Sequence, residues 1–176
     1  MNTIQSWTYG YFEGRLKLCK GKGTWPAFWM MPKNFRAWPD DGEIDIMEHV
    51  GFLDNRASFA LHTQEKNGMN GKNWHATHFF DYPLSEDFHI YGIEWCQEED
   101  SGRDCIRFTV DGEVYATVWE EQIGNHDHWP FYKPHYFILN LAIGGNMGGK
   151  VDDAIFDQLR IMYVDWVRVY QRQELP

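Results

Sequence analysis

The 176-residue sequence lacks long apolar runs, clusters of basic residues and a signal-peptide pattern. No segment approaches the roughly 18 consecutive apolar residues of a membrane-spanning helix. The formal net charge is −10 without a Lys/Arg cluster, so neither a nucleic acid nor an anionic membrane is an expected partner. The acidic balance also disfavours a heavily sulfated polysaccharide, although local charge can outweigh the total. No basic-then-apolar targeting segment is visible at the N-terminus.

The three cysteines cannot all be paired in intramolecular disulfides. Cys96 and Cys105 flank the turn EEDSGRD and face each other if a hairpin forms there. Two separate thiols are the expectation for this pair, and a disulfide between them is the alternative. Cys19 is expected to be a free thiol in a strand.

Helical periodicity is also almost absent. Short alternating or apolar segments follow one another, and Asp111-Gly112 between two alternating runs is a strong hairpin signal. Aromatic residues make up 17% of the chain, which suits either a β-rich core or stacking on sugar rings. Because no repeats or linkers interrupt the pattern, residues 1–176 are predicted to form one all-β domain, a β-sandwich or jelly roll.

The segment DGEIDIMEHV, residues 41–50, places three carboxylates in an otherwise apolar strand. Side chains in a strand alternate between its faces. Glu43 and Asp45 therefore share one face, whereas Glu48 would point the other way, into the core. A one-residue bulge near Met47 removes this conflict by turning Glu48 to the face of the other two acids.

The bulge also gives a chemically useful spacing. It leaves about four strand steps, roughly 13 Å, between the Cα atoms of Glu43 and Glu48. Side chains that lean toward each other can reduce this to the roughly 5–5.5 Å between the carboxyl groups of a retaining glycosidase. A straight strand would instead indicate a solvent-facing edge with scattered acids.

Four motifs in order, GTWPAFWMMP, GEIDIMEHVG, FHIYGIEW and VDWVRVYQ, resemble glycoside hydrolase family sixteen, and most closely its laminarinases and mixed-linkage β-glucanases. The resemblance extends from SWTYGYFEGRLKL to DWVRVYQ. It implies a jelly-roll sandwich of two curved antiparallel sheets with a substrate groove on the concave face. It also implies an endo-acting, retaining hydrolase of β-1,3 or mixed β-1,3/1,4 glucan that is secreted or periplasmic.

The resemblance assigns catalytic roles to the carboxylate motif. Glu43 corresponds to the nucleophile, Glu48 to the acid/base, and Asp45 to the carboxylate that supports the nucleophile. Three carboxylates this close cannot all ionise readily, so at least one pKa rises. We expect Glu48 to be protonated and Glu43 to be ionised.

The resemblance further implies five substrate-binding residues. Trp25 and Trp29 lie four positions apart, on one face of a strand, with core packing as the alternative to sugar stacking. His62 either lines the cleft or is a satisfied core or rim histidine. Asn140 lies in an apolar strand, where groove exposure meets its hydrogen-bonding needs more simply than burial. Trp95 corresponds to a Trp that faces the sugar near the acid/base.

Compared with the family, the sequence is short ahead of SWTYGYFEGR. The missing strands predict exposed sheet edges and self-association through them. Family members bind a structural calcium through their N-terminal segment and the Asp of VDWVRVY. Asp165 matches that Asp, but the other calcium ligands, from the N-terminal segment, are absent. We therefore expect that no cofactor is required, and a structural calcium bound at Asp165 is the alternative. His75 and His78 are placed in a Gly/Asn-rich loop, residues 64–78. A metal site at these histidines is not expected, because no acid or cysteine cluster accompanies them.

Two other functions stay open. A lectin-like sandwich that binds carbohydrate without turnover is the alternative to a hydrolase, but binding alone does not require an acid/base pair at this spacing. Relatives with the same bulged motif act on agarose, porphyran or carrageenan. The motif therefore leaves the polysaccharide, and the choice between hydrolysis and transglycosylation, undecided.

Overall fold

The computed structural model describes residues 1–98, 101–124 and 128–172. Within these residues, ten strands and two four-residue helices form the structure, and no helix there is long and apolar enough to cross a membrane. The strands are β1 (Gly10–Lys17), β2 (Thr24–Pro32), β3 (Glu43–Glu48), β4 (Arg56–His62), β5 (Trp74–Phe79), β6 (His89–Gln97), β7 (Asp104–Val110), β8 (Glu113–Trp119), β9 (His135–Ile143) and β10 (Tyr163–Tyr170). The helices are α1 (Glu120–Ile123) and α2 (Gly145–Gly148), with a 3-10 helix at Asp153–Asp157.

The strands form two antiparallel five-stranded sheets, in the orders β10-β1-β6-β7-β8 and β5-β4-β3-β2-β9. One face of each sheet contributes to a shared core, because alternate residues of the strands are apolar. Fully buried aromatic side chains dominate that core: Phe12, Phe28, Phe59, Tyr91, Trp95, Phe108 and Phe137. The predicted all-β sandwich is confirmed. The other face of the β5-β4-β3-β2-β9 sheet carries the carboxylates, and we call it the groove face.

Two predicted hairpins are present in the sheet that contains β6. Asp111 and Gly112 join β7 to β8 with φ values of 50° and 85°, the left-handed pair that a tight hairpin needs. Cys96 and Cys105 are direct partners on β6 and β7, and their Sγ atoms lie 3.0 Å apart as free thiols. Between them, residues 99 and 100 lie outside the described part of the chain.

Trp95 is a correction to the sequence analysis. It belongs to β6, in the sheet that does not carry the carboxylates, and its side chain is fully buried in the core. Its indole nitrogen donates a hydrogen bond to the carbonyl oxygen of Phe131 at 3.1 Å. The predicted contact with sugar is therefore wrong, because the apolar alternation of β6 directs this ring inward.

Residues 64–78 are a loop only in part. Strand β5 begins at Trp74 and pairs with β4, although its sequence WHATHF is polar enough to resemble a loop. His75 and His78 are three residues apart on this strand, so they point to opposite faces. A metal site that uses both side chains does not fit this geometry.

Candidate active site

A bulge in β3 brings the three acids to the groove face. Asp45 pairs with Ala60 and Glu48 pairs with Ser58 on β4, so three steps along β3 match two steps along β4. The pairing of β3 with β2 shifts at the same place. The two residues between the acids are both fully buried, Met47 among them. The predicted bulge is confirmed, and it satisfies the core without burying Glu48 there.

The three carboxylates line a cavity of about 160 Å³ in the groove face. Strands β2 and β9 supply its other walls. Its lining residues are Trp25, Ala27, Trp29, Glu43, Asp45, Glu48, Asn140 and Ala142. The structure therefore brings together seven of the predicted site residues at or beside this cavity, His62 being the seventh, and places Trp95 and Asp165 elsewhere.

Two tryptophans donate hydrogen bonds to the outer acids. Trp25 Nε1 donates to Glu48 Oε1 at 3.1 Å, and Trp38 Nε1 donates to Glu43 Oε2 at 2.5 Å. A donated N–H favours the ionised form of a carboxyl group. The sequence analysis missed Trp38. The available signal was a large aromatic residue in a polar, proline-containing loop directly ahead of the acidic strand, where no core alternation accounts for it.

Trp29 and Asn140 form a second polar contact in the groove. Trp29 Nε1 donates to Asn140 Oδ1 at 2.7 Å across β2 and β9. This bond fixes the amide with its oxygen toward the indole. Within the described residues, the amide nitrogen of Asn140 has no hydrogen-bond acceptor, so it can donate to a sugar hydroxyl.

His62 lies against the acids from β4. Its Nδ1 accepts a hydrogen bond from the backbone N–H of Gly68 at 3.0 Å, so the neutral ring carries its proton on Nε2. Nε2 is 3.1 Å from Asp45 Oδ2 and 3.8 Å from Glu43 Oε1. His62 therefore lies beside Asp45 without hydrogen bonding to it, because Asp45 Oδ2 is buried with no hydrogen-bond partner among the described residues.

Burial raises the pKa of all three carboxyl groups. The pKa of Glu43 rises to about 8, first through desolvation and then through the charge of Asp45. Desolvation also raises the pKa of Asp45, followed by the charge of Glu48. The pKa of Glu48 is raised by desolvation, against the opposing effects of His62 and Trp25.

These pKa shifts qualify the predicted charge states. A raised pKa of Glu48 agrees with a protonated acid/base. A pKa of about 8 makes ionised Glu43 a minority form at neutral pH in the ligand-free protein. The three groups titrate as a coupled set, and Glu43 must lose its proton before it can act as the predicted nucleophile.

The model of the glycosyl hydrolases family 16 matches residues 1–168 of the chain. The chain belongs to this family. The sequence is 41% identical over 177 residues to a β-glucanase from Rhodothermus marinus, covering 94% of this chain and 58% of that protein. It is 36% identical over 170 residues to a keratan-sulfate endo-1,4-β-galactosidase from Sphingobacterium multivorum, covering 94% of this chain and 37% of that protein.

A solved structure supports the same family 16 assignment. The X-ray structure of the laminarinase from Rhodothermus marinus superposes with a TM-score of 0.82 at 40% identity, covering 94% of this chain and 66% of that chain. The predicted jelly-roll class and family resemblance are confirmed. The chain spans little more than half the length of the Rhodothermus marinus β-glucanase, 58%.

Asp165 does not fit the calcium role that the family 16 resemblance implies. It lies on β10, and its Oδ2 accepts a hydrogen bond from Arg15 Nη1 at 2.7 Å. A guanidinium at this distance repels a divalent cation and occupies the carboxylate. Among the described residues, the cluster of His and acids with metal-ligand spacing is Glu43, Asp45 and His62, and a metal there would occupy Glu43, the predicted nucleophile.

Proposed function

We propose that this family 16 chain is an endo-acting, retaining β-glucanase that cleaves β-1,3 or mixed β-1,3/1,4 glucan. The observation that carries the proposal is the bulged strand β3, which sets buried Asp45 between half-buried Glu43 and Glu48 in an open groove. Two of the three relatives named above are a β-glucanase and a laminarinase. Both agree with a glucan substrate.

The carboxylates divide the work of a double displacement. Ionised Glu43 attacks the anomeric carbon and forms a glycosyl-enzyme, while protonated Glu48 gives its proton to the leaving glycosidic oxygen. Glu48, now ionised, removes a proton from water, and the resulting hydroxide displaces Glu43 from the sugar. Two inversions give net retention, and each residue returns to its starting charge.

Asp45 and His62 support the nucleophile. Asp45 lies one same-face step from Glu43 along β3, and Nε2 of His62 on β4 is 3.1 Å from Asp45 Oδ2. A protonated Asp45 can donate to the Glu43 carboxylate and orient it toward the sugar. When the glycosyl-enzyme forms, the negative charge of Glu43 is neutralised.

The shape of the groove supports internal cleavage of a chain. A second cavity of about 350 Å³ shares Glu48 with the first and extends over β4 and β5. Sugar units can therefore occupy both sides of the acid/base. A polysaccharide of this kind is an extracellular polymer, so we propose a secreted or periplasmic enzyme that requires no cofactor.

A substrate screen tests the proposed function. The purified protein is incubated separately with laminarin, barley β-glucan, agarose and carrageenan, and the product lengths are resolved by chromatography. We expect oligosaccharides of several lengths from laminarin or barley β-glucan, with newly formed β-anomers detected by NMR. Binding to laminarin without any new reducing ends would favour the lectin-like alternative, and products from agarose or carrageenan alone would reassign the substrate.

The raised pKa values predict a displaced pH profile. Activity falls at low pH because protonated Glu43 cannot attack, and its pKa is raised to about 8. Activity falls at high pH because ionised Glu48 cannot donate a proton, and its pKa is raised as well. We therefore expect kcat/KM on laminarin to follow a bell whose two limbs both lie above the ordinary range of glutamate, near pH 4.3.

Two variants should move the acidic limb in opposite directions. Asp45→Asn removes the neighbouring charge that raises the pKa of Glu43, so the limb moves to lower pH. Trp38→Phe removes the hydrogen bond that lowers this pKa, so the limb moves to higher pH, by about one unit if the bond contributes about 1.5 kcal/mol. Shifts in the same direction, or an acidic limb near pH 4 in the parent, would contradict the assignment.

A further inference from the structure

The second cavity contains a cation that the proposed mechanism does not use. Strands β4 and β5 form most of its wall, and single residues of β3 and of the segment before β5 complete it together with α2. Its lining residues are Glu48, Arg56, Ser58, Phe59, Ala60, Asn73, His75, Thr77, Asn146 and Met147. Arg56 is the formal positive charge among them, and Glu48 is the carboxylate.

Arg56 acts on its surroundings through its charge, which lowers the pKa of Glu48 against the larger raising effect of desolvation. It is half-buried at the start of β4, and among the described residues no hydrogen bond or ion pair holds its side chain. Only its backbone is bonded, through N–H to Leu53 and through C=O to the ring of His49. Arginine presents five donors in a planar fork that fits carboxylate and sulfate oxygens, so an unpaired arginine lining a cavity is suited to an oxyanion.

The position of Arg56 relates this oxyanion to the reaction. Alternation along β4 puts Arg56 on the same face as Ser58, which pairs with Glu48. The second cavity contains Glu48 but not Glu43. Glu48 protonates the leaving oxygen, so the sugars beyond it belong to the leaving group, and Arg56 lies on that side of the scissile bond.

We propose that Arg56 selects substrates whose leaving-group side carries an oxyanion, a carboxylate or a sulfate ester, on a sugar seated over β4 and β5. The inference rests on the proposed hydrolase function and names a substrate class for it. The two cavities together contain one formal cation in a chain of net charge −10. A sparsely substituted polysaccharide fits this arrangement, because a uniformly charged one would face the carboxylates over the rest of the groove.

Hydrogen-bonding groups around Arg56 suit such a sugar. Ser58 and Thr77 are cross-strand partners with hydroxyls 3.2 Å apart, and exposed Phe79 is the cross-strand partner of Arg56 itself. An aromatic ring beside an arginine offers an apolar face to the sugar ring and a fork to its substituent. Phe79 and Arg56, which would bind the ring and the charged substituent of one sugar unit, are therefore adjacent.

Competition between matched hexasaccharides tests the proposal. Laminarihexaose is mixed with a hexasaccharide that ends in glucuronate at the reducing end, or with one that ends in 6-sulfated glucose, and the loss of each is followed by mass spectrometry. The ratio of the two kcat/KM values isolates the charge contact, because Glu48 cleaves both substrates at one pH. We expect the parent enzyme to prefer a charged substrate by about fivefold to tenfold, as for a half-exposed charge-assisted hydrogen bond.

Two variants identify the residue responsible. Arg56→Gln should reduce the ratio to one or below, since the Coulombic attraction is lost while an amide donor stays. Arg168→Gln, which removes an exposed cation on β10 in the other sheet, should keep the parent ratio. High salt should weaken the preference of the parent enzyme.

The outcomes separate this inference from the proposed function. If laminarihexaose itself is not cleaved, the hydrolase proposal fails. If it is cleaved but both charged substrates have a ratio of one or less in the parent enzyme, only the role of Arg56 is overturned. A preference that survives Arg56→Gln also overturns it. A preference for one charged substrate alone identifies the carboxylate or the sulfate as the group that Arg56 binds.

Discussion

Glu43→Ala and Glu48→Ala are each expected to abolish laminarin hydrolysis, but by different amounts and at different steps. Without Glu43 no glycosyl-enzyme forms, and we expect kcat to fall on the order of 10⁵-fold, as for loss of a catalytic nucleophile. Without Glu48 the leaving oxygen lacks its proton, and we expect a loss on the order of 10³- to 10⁴-fold. Reducing-sugar release measures both.

A substrate with an activated leaving group separates the two roles. In the nitrophenyl β-glycoside of laminaribiose, the nitrophenolate group leaves without being protonated. Glu48→Ala should therefore still form the glycosyl-enzyme and release nitrophenol in a burst. Azide can then enter the space that the missing side chain leaves and displace Glu43, giving a β-glycosyl azide. In Glu43→Ala, azide should instead attack the substrate directly and give the α-glycosyl azide.

The configuration of the azide product is the decisive measurement. If Glu48→Ala gave the α-glycosyl azide and Glu43→Ala gave the β-glycosyl azide, the assigned roles of Glu43 and Glu48 would have to be exchanged. Full activity in either variant would remove that residue from the chemistry. A surface variant such as Asp153→Asn, at an exposed position in the 3-10 helix, is the matched control and should retain parent rates with no response to azide.

The bulged form of β3 could be predicted from the sequence, because few backbone conformations keep the Glu48 carboxylate out of the core. A straight strand would place Glu48 in the core, where an unpaired carboxylate is costly. The bulge is the smallest change that avoids this, and β3 shows it at the expected place. The same parity argument places Trp25 and Trp29 together, and both line the groove.

Residues outside regular alternation could not be placed in this way. Trp38 is in the connection before β3, so no period of two decides where its ring points, and only the folded loop brings its N–H to Glu43. Arg56 opens a strand, and its side chain becomes notable only when the structure shows that it lines a cavity beside Glu48 without an ion pair among the described residues. Strand β5 was interpreted as loop because an edge strand alternates between two faces that are both partly exposed.

The case of Trp95 shows a conflict between two kinds of inference. Tyr91, Ile93 and Trp95 share one parity along β6, and all three are fully buried. The alternation alone therefore predicts a core position. The resemblance to groove residues of the family led to the opposite assignment, and the structure supports the periodicity.

The second large effect follows from this burial: Trp95→Ala should destabilise the fold by about 3–5 kcal/mol, the range for a buried large aromatic residue. The ring contacts Tyr9, Phe12 and His135 at centroid distances of 5.6, 5.9 and 5.3 Å. Its removal leaves a cavity among these side chains. It also removes the hydrogen bond to the Phe131 carbonyl, which is then left unsatisfied in the core. Urea unfolding measures the loss as a lower midpoint.

Trp25→Ala is the matched comparison, because it truncates the same side chain in the groove. Trp25 is half-buried and donates to Glu48, so its removal should lower kcat/KM on laminarin while it costs less stability than Trp95→Ala. The folded fraction of Trp95→Ala should instead keep the parent KM, since the ring is on the core side of the other sheet. If Trp95→Ala had the stability of the parent and a raised KM, Trp95 would have to contact substrate in the groove. That result would contradict the burial of Trp95, because β6 would then have to present its opposite face to the core.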